Sequence, residues 1–213
     1  MVSHEKLRGL ALNTIFEICQ YCKTQFTDNE ITPLYHYLQT NYSQLATEHA
    51  SKLVEAAGIV ASVQEEGKLE LAIAEIAKIP VQMLVSDVRI DLLKSIVVMS
   101  ALVTAMNDLP AFSIKNSLGS LFKQTWPYCQ KFLAQRSGDT EMVEACCTYL
   151  QKVLSCLPNE VSVYFIDIQN SLMGCFLANA SSNCKCLTTY ASLCTISAKQ
   201  SDEVRDLILS QVD

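Results

Sequence analysis

Glycine and proline are scarce in this chain of 213 residues, and their scarcity argues against a turn-rich fold. There are 6 glycines and 5 prolines. An all-β sandwich or barrel needs turn residues about every 8–12 positions, and so few glycines and prolines do not supply them. Charged residues make up 18% of the chain and hydrophobic residues 50%, the reverse of the balance in disordered proteins. The composition therefore favours long helices joined by short connections.

A basic charge balance and a long apolar run are also missing. The net charge is −6 and the isoelectric point is about 5.1, whereas nucleic-acid-binding domains carry basic patches. The most apolar stretch, residues 95–107, is shorter than the roughly 20 residues that cross a bilayer. The first residues, MVSHEK, contain no apolar signal-peptide core. We therefore expect no direct nucleic-acid partner, no membrane partner and no signal peptide.

Apolar residues recur with the period of a helix along the whole chain. Leu7, Ala11, Ile15, Ile18 and Cys22 form one such stripe near the start. The pattern predicts about ten helices of roughly 12–22 residues and no strand. Residues 87–107 are apolar on most sides, which predicts the most buried helix.

Several local signals refine these helices. Thr47 and Thr140 are predicted N-caps, and Pro33 is placed in a first turn. Pro80 is predicted to interrupt its helix and Pro127 to bend its own. Residues 160–177 and 201–212 are each expected to form one helix.

Taken in pairs, the predicted helices repeat about every 40 residues, which is the period of HEAT-type repeats. The units are residues 3–45, 47–84, 87–135, 139–177 and 184–212. We predict an all-α fold, an α-solenoid of about five HEAT-like antiparallel helix pairs, in which residues 1–213 form a single segment. A compact helical bundle is the alternative.

Ten cysteines occur mainly within these helical patterns. Without a secretory signal, reduced and buried thiols are expected. Cys19 and Cys22 have redox or half-zinc spacing, but they lie on a helical stripe and no second Cys/His pair is near in sequence. Core packing is the favoured interpretation, and a thiol or metal protein using this pair is an alternative. Of Cys146 and Cys147, one is expected near the surface.

Four short motifs, in the same order, resemble the transportin-SR branch of the importin-β (karyopherin-β) family. The most specific is Leu121-Phe-Lys-Gln-Thr-Trp-Pro127 followed by Met142-Val-Glu-Ala-Cys-Cys147. Residues 12–22, 53–60 and 79–84 supply the other matches. The resemblance covers most of the chain and implies a central fragment of a nuclear transport receptor.

The resemblance also implies partners and a place of action. Family members are HEAT-repeat superhelices without enzymatic activity that bind protein cargo on their inner surface. They bind Ran-GTP through N-terminal repeats, which lie outside this fragment, and they can contact nuclear pore proteins. A protein of this kind shuttles between nucleus and cytoplasm, and needs no cofactor or metal.

The chain departs from the family at one helix. Arginines that hold phosphorylated Arg-Ser domains in the family correspond here to Ala145, Thr148, Gln151 and Ser155, with Lys152 as the nearby cation. Guanidinium groups pair bidentately with phosphate, so this recognition is not expected here. The candidate cargo face is Thr148, Gln151, Lys152 and Ser155.

No catalytic arrangement is found in the sequence. There is no Gly-rich phosphate loop, no G-x-S-x-G motif and no nucleophile–base pair, so we expect no enzyme. Glu65, Glu66, Glu70 and Glu75 form an acidic run that we interpret as a solvated face, with a basic cargo as the alternative. Trp126 is expected in the core. A HEAT or armadillo scaffold unrelated to transport is the alternative function.

Overall fold

The structure, a computed structural model, describes residues 4–86, 88–200, 202, 205, 206 and 209. For His4, Glu5, Asp28, Glu66, Ala111 and Phe112 it describes the backbone alone. The predicted last helix, residues 201–212, therefore lies largely outside the described residues.

Ten α-helices and no β-strand occur in the described ranges, which confirms the all-α prediction. In chain order they are α1 His4–Cys22, α2 Asp28–Asn41, α3 Thr47–Ala61, α4 Glu66–Met83, α5 Arg89–Ala105, α6 Ala111–Gln135, α7 Thr140–Cys156, α8 Pro158–Ser162, α9 Phe165–Ala178 and α10 Cys184–Gln200. Single turns of 3-10 helix follow α1 and α2. Across the described part of the chain, none of these helices is both long enough and apolar enough to cross a membrane.

Some local signals differ from the predictions. Pro80 lies inside α4, which continues past it to Met83, so the predicted interruption is wrong. Pro127 lies inside α6, as predicted, and the bend at this residue stays a prediction. Pro33 lies inside α2 rather than in its first turn. The predicted helix 160–177 is two helices, α8 and α9, separated at Val163 and Tyr164.

Helix starts are set by side chains that satisfy free backbone N–H groups. At α2 a capping box forms: the Thr27 side chain accepts from the Asn29 backbone N–H, and the Glu30 carboxylate accepts from the Thr27 backbone N–H at 2.8 Å. At α7 the cap is Asp139, which accepts from the Met142 N–H at 3.2 Å. The predicted caps Thr47 and Thr140 are instead the first helical residues of α3 and α7.

Two compact units divide the chain, residues 1–117 and 118–213, with the boundary inside α6. In the first unit, α3 contacts α1, α2, α4 and α5, and α2 also contacts α4. Helix α5 is buried over most of its surface, as predicted. In the second unit, α10 contacts α7, α8 and α9.

In each unit, some buried polar side chains make hydrogen bonds to other elements. In the first unit the Lys94 ammonium is 6% exposed and donates to the carbonyls of Tyr42 and Leu45, the latter at 2.6 Å. In the second unit the hydroxyls of Thr125 and Tyr149 meet at 2.6 Å between α6 and α7. Trp126 is buried there and stacks on Phe122, with 6.0 Å between ring centroids.

Helix α1 exposes several apolar side chains to solvent. Leu7 is 53% exposed and Ile18 48%, and Ile15 is half-buried. Leu10, which the sequence did not single out, is 61% exposed. Apolar side chains at this density are candidates for contact with another protein surface.

Candidate functional site

The candidate cargo face lies along the open side of α7. Ser155 is exposed, and Thr148, Gln151 and Lys152 are half-buried. Helical spacing places these four positions on one face because they are three or four residues apart. Glu141 and Glu144 extend the face toward the helix start. Their role in binding cargo remains a prediction.

The candidate cargo face carries mainly neutral polar side chains. The Ser155 hydroxyl donates to the Gln151 carbonyl at 3.0 Å, so it is partly engaged by its own helix. Lys152 is the cation of this face, and the carboxylates of Glu141 and Glu144 lie on the same side of the helix, two to three turns before it. Ala145 is only 9% exposed, so a larger side chain there would enter the core. The face offers neutral hydrogen bonds and little positive charge.

The expectation that Cys146 or Cys147 is near the surface is wrong, because both are fully buried. Helix α7 is covered on more than one side within its unit. Tyr149 reaches Thr125 of α6, hydrogen bonding with Cys129 of α6 raises the pKa of Cys146, and Cys147 faces Cys186 of α10. A helix with partners on two sides has room for two adjacent buried residues.

Cys19 and Cys22 are not brought together into a site. Cys19 is 1% exposed and packs with Ile31, Ala56 and Val60. Burial raises the pKa of the Cys19 thiol to about 11, so it is a poor nucleophile at neutral pH. Cys22, at the end of α1, is exposed. Within the described residues, no group of three or more His, Cys, Asp or Glu side chains could hold a metal ion.

A groove of about 550 Å3 opens between α1 and α2 above Leu53 of α3. The sequence pattern did not predict this groove. Arg8 and Glu30 are the charged members of its lining. The other lining residues are Ala11, Leu12, Ile15, Ile18, Cys19, Phe26, Pro33, Leu34, Tyr37 and Leu53. The apolar side chains on the exposed side of α1 indicated that something could bind there. The groove itself depends on the distance between α1 and α2, which the sequence pattern does not give. Grooves of this kind accept an apolar helix face or a small apolar molecule.

The acidic run lies in α4 and just before its start. Glu65 and Glu70 are exposed. Glu75 accepts a hydrogen bond from the Gln39 amide at 2.6 Å and lies 4.0 Å from the Lys78 ammonium. The Glu66 side chain lies outside the described atoms. A solvated face explains these positions, since each carboxylate with described surroundings is open to water or paired at the surface.

Comparison with protein-family models, with curated proteins and with solved structures gives no match to this chain.

Proposed function

We propose that this chain is a non-enzymatic protein-binding scaffold, a HEAT-repeat segment of a transportin-SR-like nuclear transport receptor. Its parent would carry protein cargo through the nuclear pore under the control of Ran-GTP, moving between nucleus and cytoplasm. The proposal combines the sequence resemblance with one recurring feature of the structure.

That feature is a group of four inter-helix contacts that join residues 35–39 positions apart. Other long-range hydrogen bonds join residues 24, 49 and 52 positions apart. The Lys52 ammonium of α3 donates to the Asn13 side chain of α1, 39 positions earlier. Gln39 of α2 donates to Glu75 of α4, 36 positions later. In the second unit the sulfurs of Cys147 and Cys186 are 39 positions apart in sequence. The hydroxyls of Ser162 and Ser197, 35 positions apart, meet at 3.1 Å.

Contacts at a constant separation are expected when similar units stack in chain order. Each unit then meets the equivalent place in the next one, so the separation equals the repeat length. In the first unit α3 contacts both α1 and α5, and α2 contacts α4. Every second helix is therefore a neighbour, which is how the two layers of a solenoid of helix pairs are built.

The candidate cargo face suits a binding role without catalysis. Its side chains can donate and accept hydrogen bonds at a surface, and they offer no nucleophile with an adjacent base. The partners we propose are protein cargo at this segment, and Ran-GTP and nuclear pore proteins at other repeats of the parent.

A nucleotide-dependent pull-down tests the transport role. The parent protein is immobilised and offered Ran loaded with a non-hydrolysable GTP analogue or with GDP. We expect capture of the GTP form alone. The 1–213 segment, immobilised in the same way, is the matched control and should capture neither form. Equal capture of both forms by the parent, or of neither, would reject the transport role.

The architecture is tested separately. Removal of residues 1–45, the first predicted pair, should leave the rest folded, because a repeat contacts only its neighbours. Circular dichroism should show unchanged helicity per remaining residue and a cooperative melt. Loss of all structure would favour the compact bundle. Retained structure with a failed Ran experiment would favour a HEAT or armadillo scaffold unrelated to transport.

A further inference from the structure

Buried thiols converge between α7 and α10 in the second unit. The sulfurs of Cys147 and Cys186 are 3.8 Å apart, and these residues are 0% and 1% exposed. Cys175 of α9 lies beside Cys186, and the Asn183 amide donates to the Cys175 sulfur at 3.4 Å. A disulfide bond is about 2.05 Å long, so the first pair must close by less than 2 Å.

The surroundings give the two sulfurs of this pair different roles. Hydrogen bonding from Cys186 lowers the pKa of Cys147 against the opposing effect of burial, and the Thr189 hydroxyl and the nearby Lys185 charge add to the lowering. Hydrogen bonding with Cys147 raises the pKa of Cys186 to about 12. Hydrogen bonding with Cys186 raises the pKa of Cys175. A thiolate is the reactive form of cysteine, so negative charge is best held at Cys147.

We propose that Cys147 and Cys186 form an oxidisable dithiol that peroxides convert into a disulfide joining α7 to α10. The Cys147 thiolate attacks a peroxide oxygen, the O–O bond breaks, and Cys147 becomes a sulfenic acid. The leaving hydroxide takes the proton of the Cys186 thiol and becomes water.

The second step joins the two helices. The Cys186 thiolate attacks the Cys147 sulfur, the S–S bond forms and the S–OH bond breaks. The leaving hydroxide becomes a second water with the proton that Cys147 first released. In total two thiols and one hydrogen peroxide give one disulfide and two waters. Each sulfur loses one electron, and the peroxide gains two.

Burial sets the rate of this reaction. Both sulfurs are closed to solvent in the folded unit, so peroxide reaches them when α10 transiently separates from α7. The product then prevents that separation, because it links the two helices covalently. Oxidation should therefore be slow and should make later opening of α10 rarer.

Mass spectrometry of the oxidised full chain tests the pairing. The folded protein is treated with hydrogen peroxide, its free thiols are alkylated, and it is cleaved with trypsin. We expect a link between the tryptic peptides 137–152 and 186–199, with fragmentation placing it at Cys147 and Cys186. Thiol titration in denaturant should fall by at least two from ten, the cysteine count. Two thiols are joined, and the exposed Cys22 and Cys184 can be oxidised as well. Dithiothreitol should restore the count to ten.

Variants at adjacent residues provide the matched controls. Cys146→Ser, altered at an equally buried neighbour, should still form the link, and Cys147→Ser should not. Cys186→Ser should leave a sulfenic acid on Cys147 that dimedone traps. Circular dichroism checks that each variant is folded. If a variant does not fold, the position of the link in the unaltered protein decides alone.

Two results would overturn the proposal. One is a link between peptides 153–185 and 186–199 that fragmentation places at Cys175 and Cys186. The other is a full count of ten thiols in treated protein that stays folded throughout. Conversion of the half-buried Met83 and Met173 to sulfoxides shows that the peroxide was active.

Discussion

Gly58 lies where α3 packs against α5, and replacing it with alanine tests that packing. A Cβ atom at this position would lie 2.6 Å from the Cβ of Ala105 and 3.3 Å from Cδ1 of Leu102. Ordinary contacts begin near 3.4 Å, so the two helices must move apart by about 1 Å to restore van der Waals separation. Gly58 is buried, so the added methyl group cannot turn toward solvent.

Two opposing effects decide the result. Alanine is favoured over glycine by about 1 kcal/mol in a helix interior. Overpacking of a close-packed core costs about 1–3 kcal/mol. The closest contact joins two Cβ atoms that are fixed to their backbones, so no flexible side-chain end can yield. The overpacking cost therefore lies in the upper part of its range, about 2–3 kcal/mol. After the gain of about 1 kcal/mol from alanine, we expect Gly58→Ala to lower the free energy of unfolding by about 1–2 kcal/mol.

Urea denaturation followed by circular dichroism measures this change. With a slope of about 3 kcal/mol per molar, the midpoint should fall by about 0.5 M. Gly174→Ala is the control, because nothing lies within 4 Å of its added Cβ. The control should be stabilised by up to about 1 kcal/mol. Adding Ala105→Gly to Gly58→Ala should recover most of the loss. Equal stabilisation of both single variants would refute the close approach of α3 and α5.

Three further outcomes follow from the structure. Lys94→Met should lower the unfolding free energy by about 1–3 kcal/mol, measured in urea, since it leaves buried carbonyls without their donor. Tyr149→Phe should cost about 1 kcal/mol, read from tryptophan fluorescence, because the Thr125 hydroxyl loses its partner. A phosphorylated Arg-Ser peptide should bind the candidate cargo face with a dissociation constant above about 1 μM by calorimetry. Thr148→Arg with Gln151→Arg should tighten it, and nanomolar binding to the unaltered chain would contradict this reading.

Local sequence patterns were sufficient to predict most of the helices and much of the exposed side of α7. Helical periodicity depends on residues three and four apart, which the chain itself holds in place. Trp126 was assigned correctly to the core, and Ser155 to the surface. The α7 cap differed by one residue, from Thr140 to Asp139, because both can accept a backbone N–H.

Features that depend on the number and distance of neighbouring helices were decided only by the tertiary structure. A periodic pattern identifies the most apolar side of a helix, but it does not say that α7 has partners on two sides, so the burial of both Cys146 and Cys147 was missed. Three other features also depend on how neighbouring helices pack: the groove beside Ile15, the close approach of α5 to Gly58, and the contact between Cys147 and Cys186. Each joins elements distant in sequence, and their separation is set by how side chains from several helices fill a shared space.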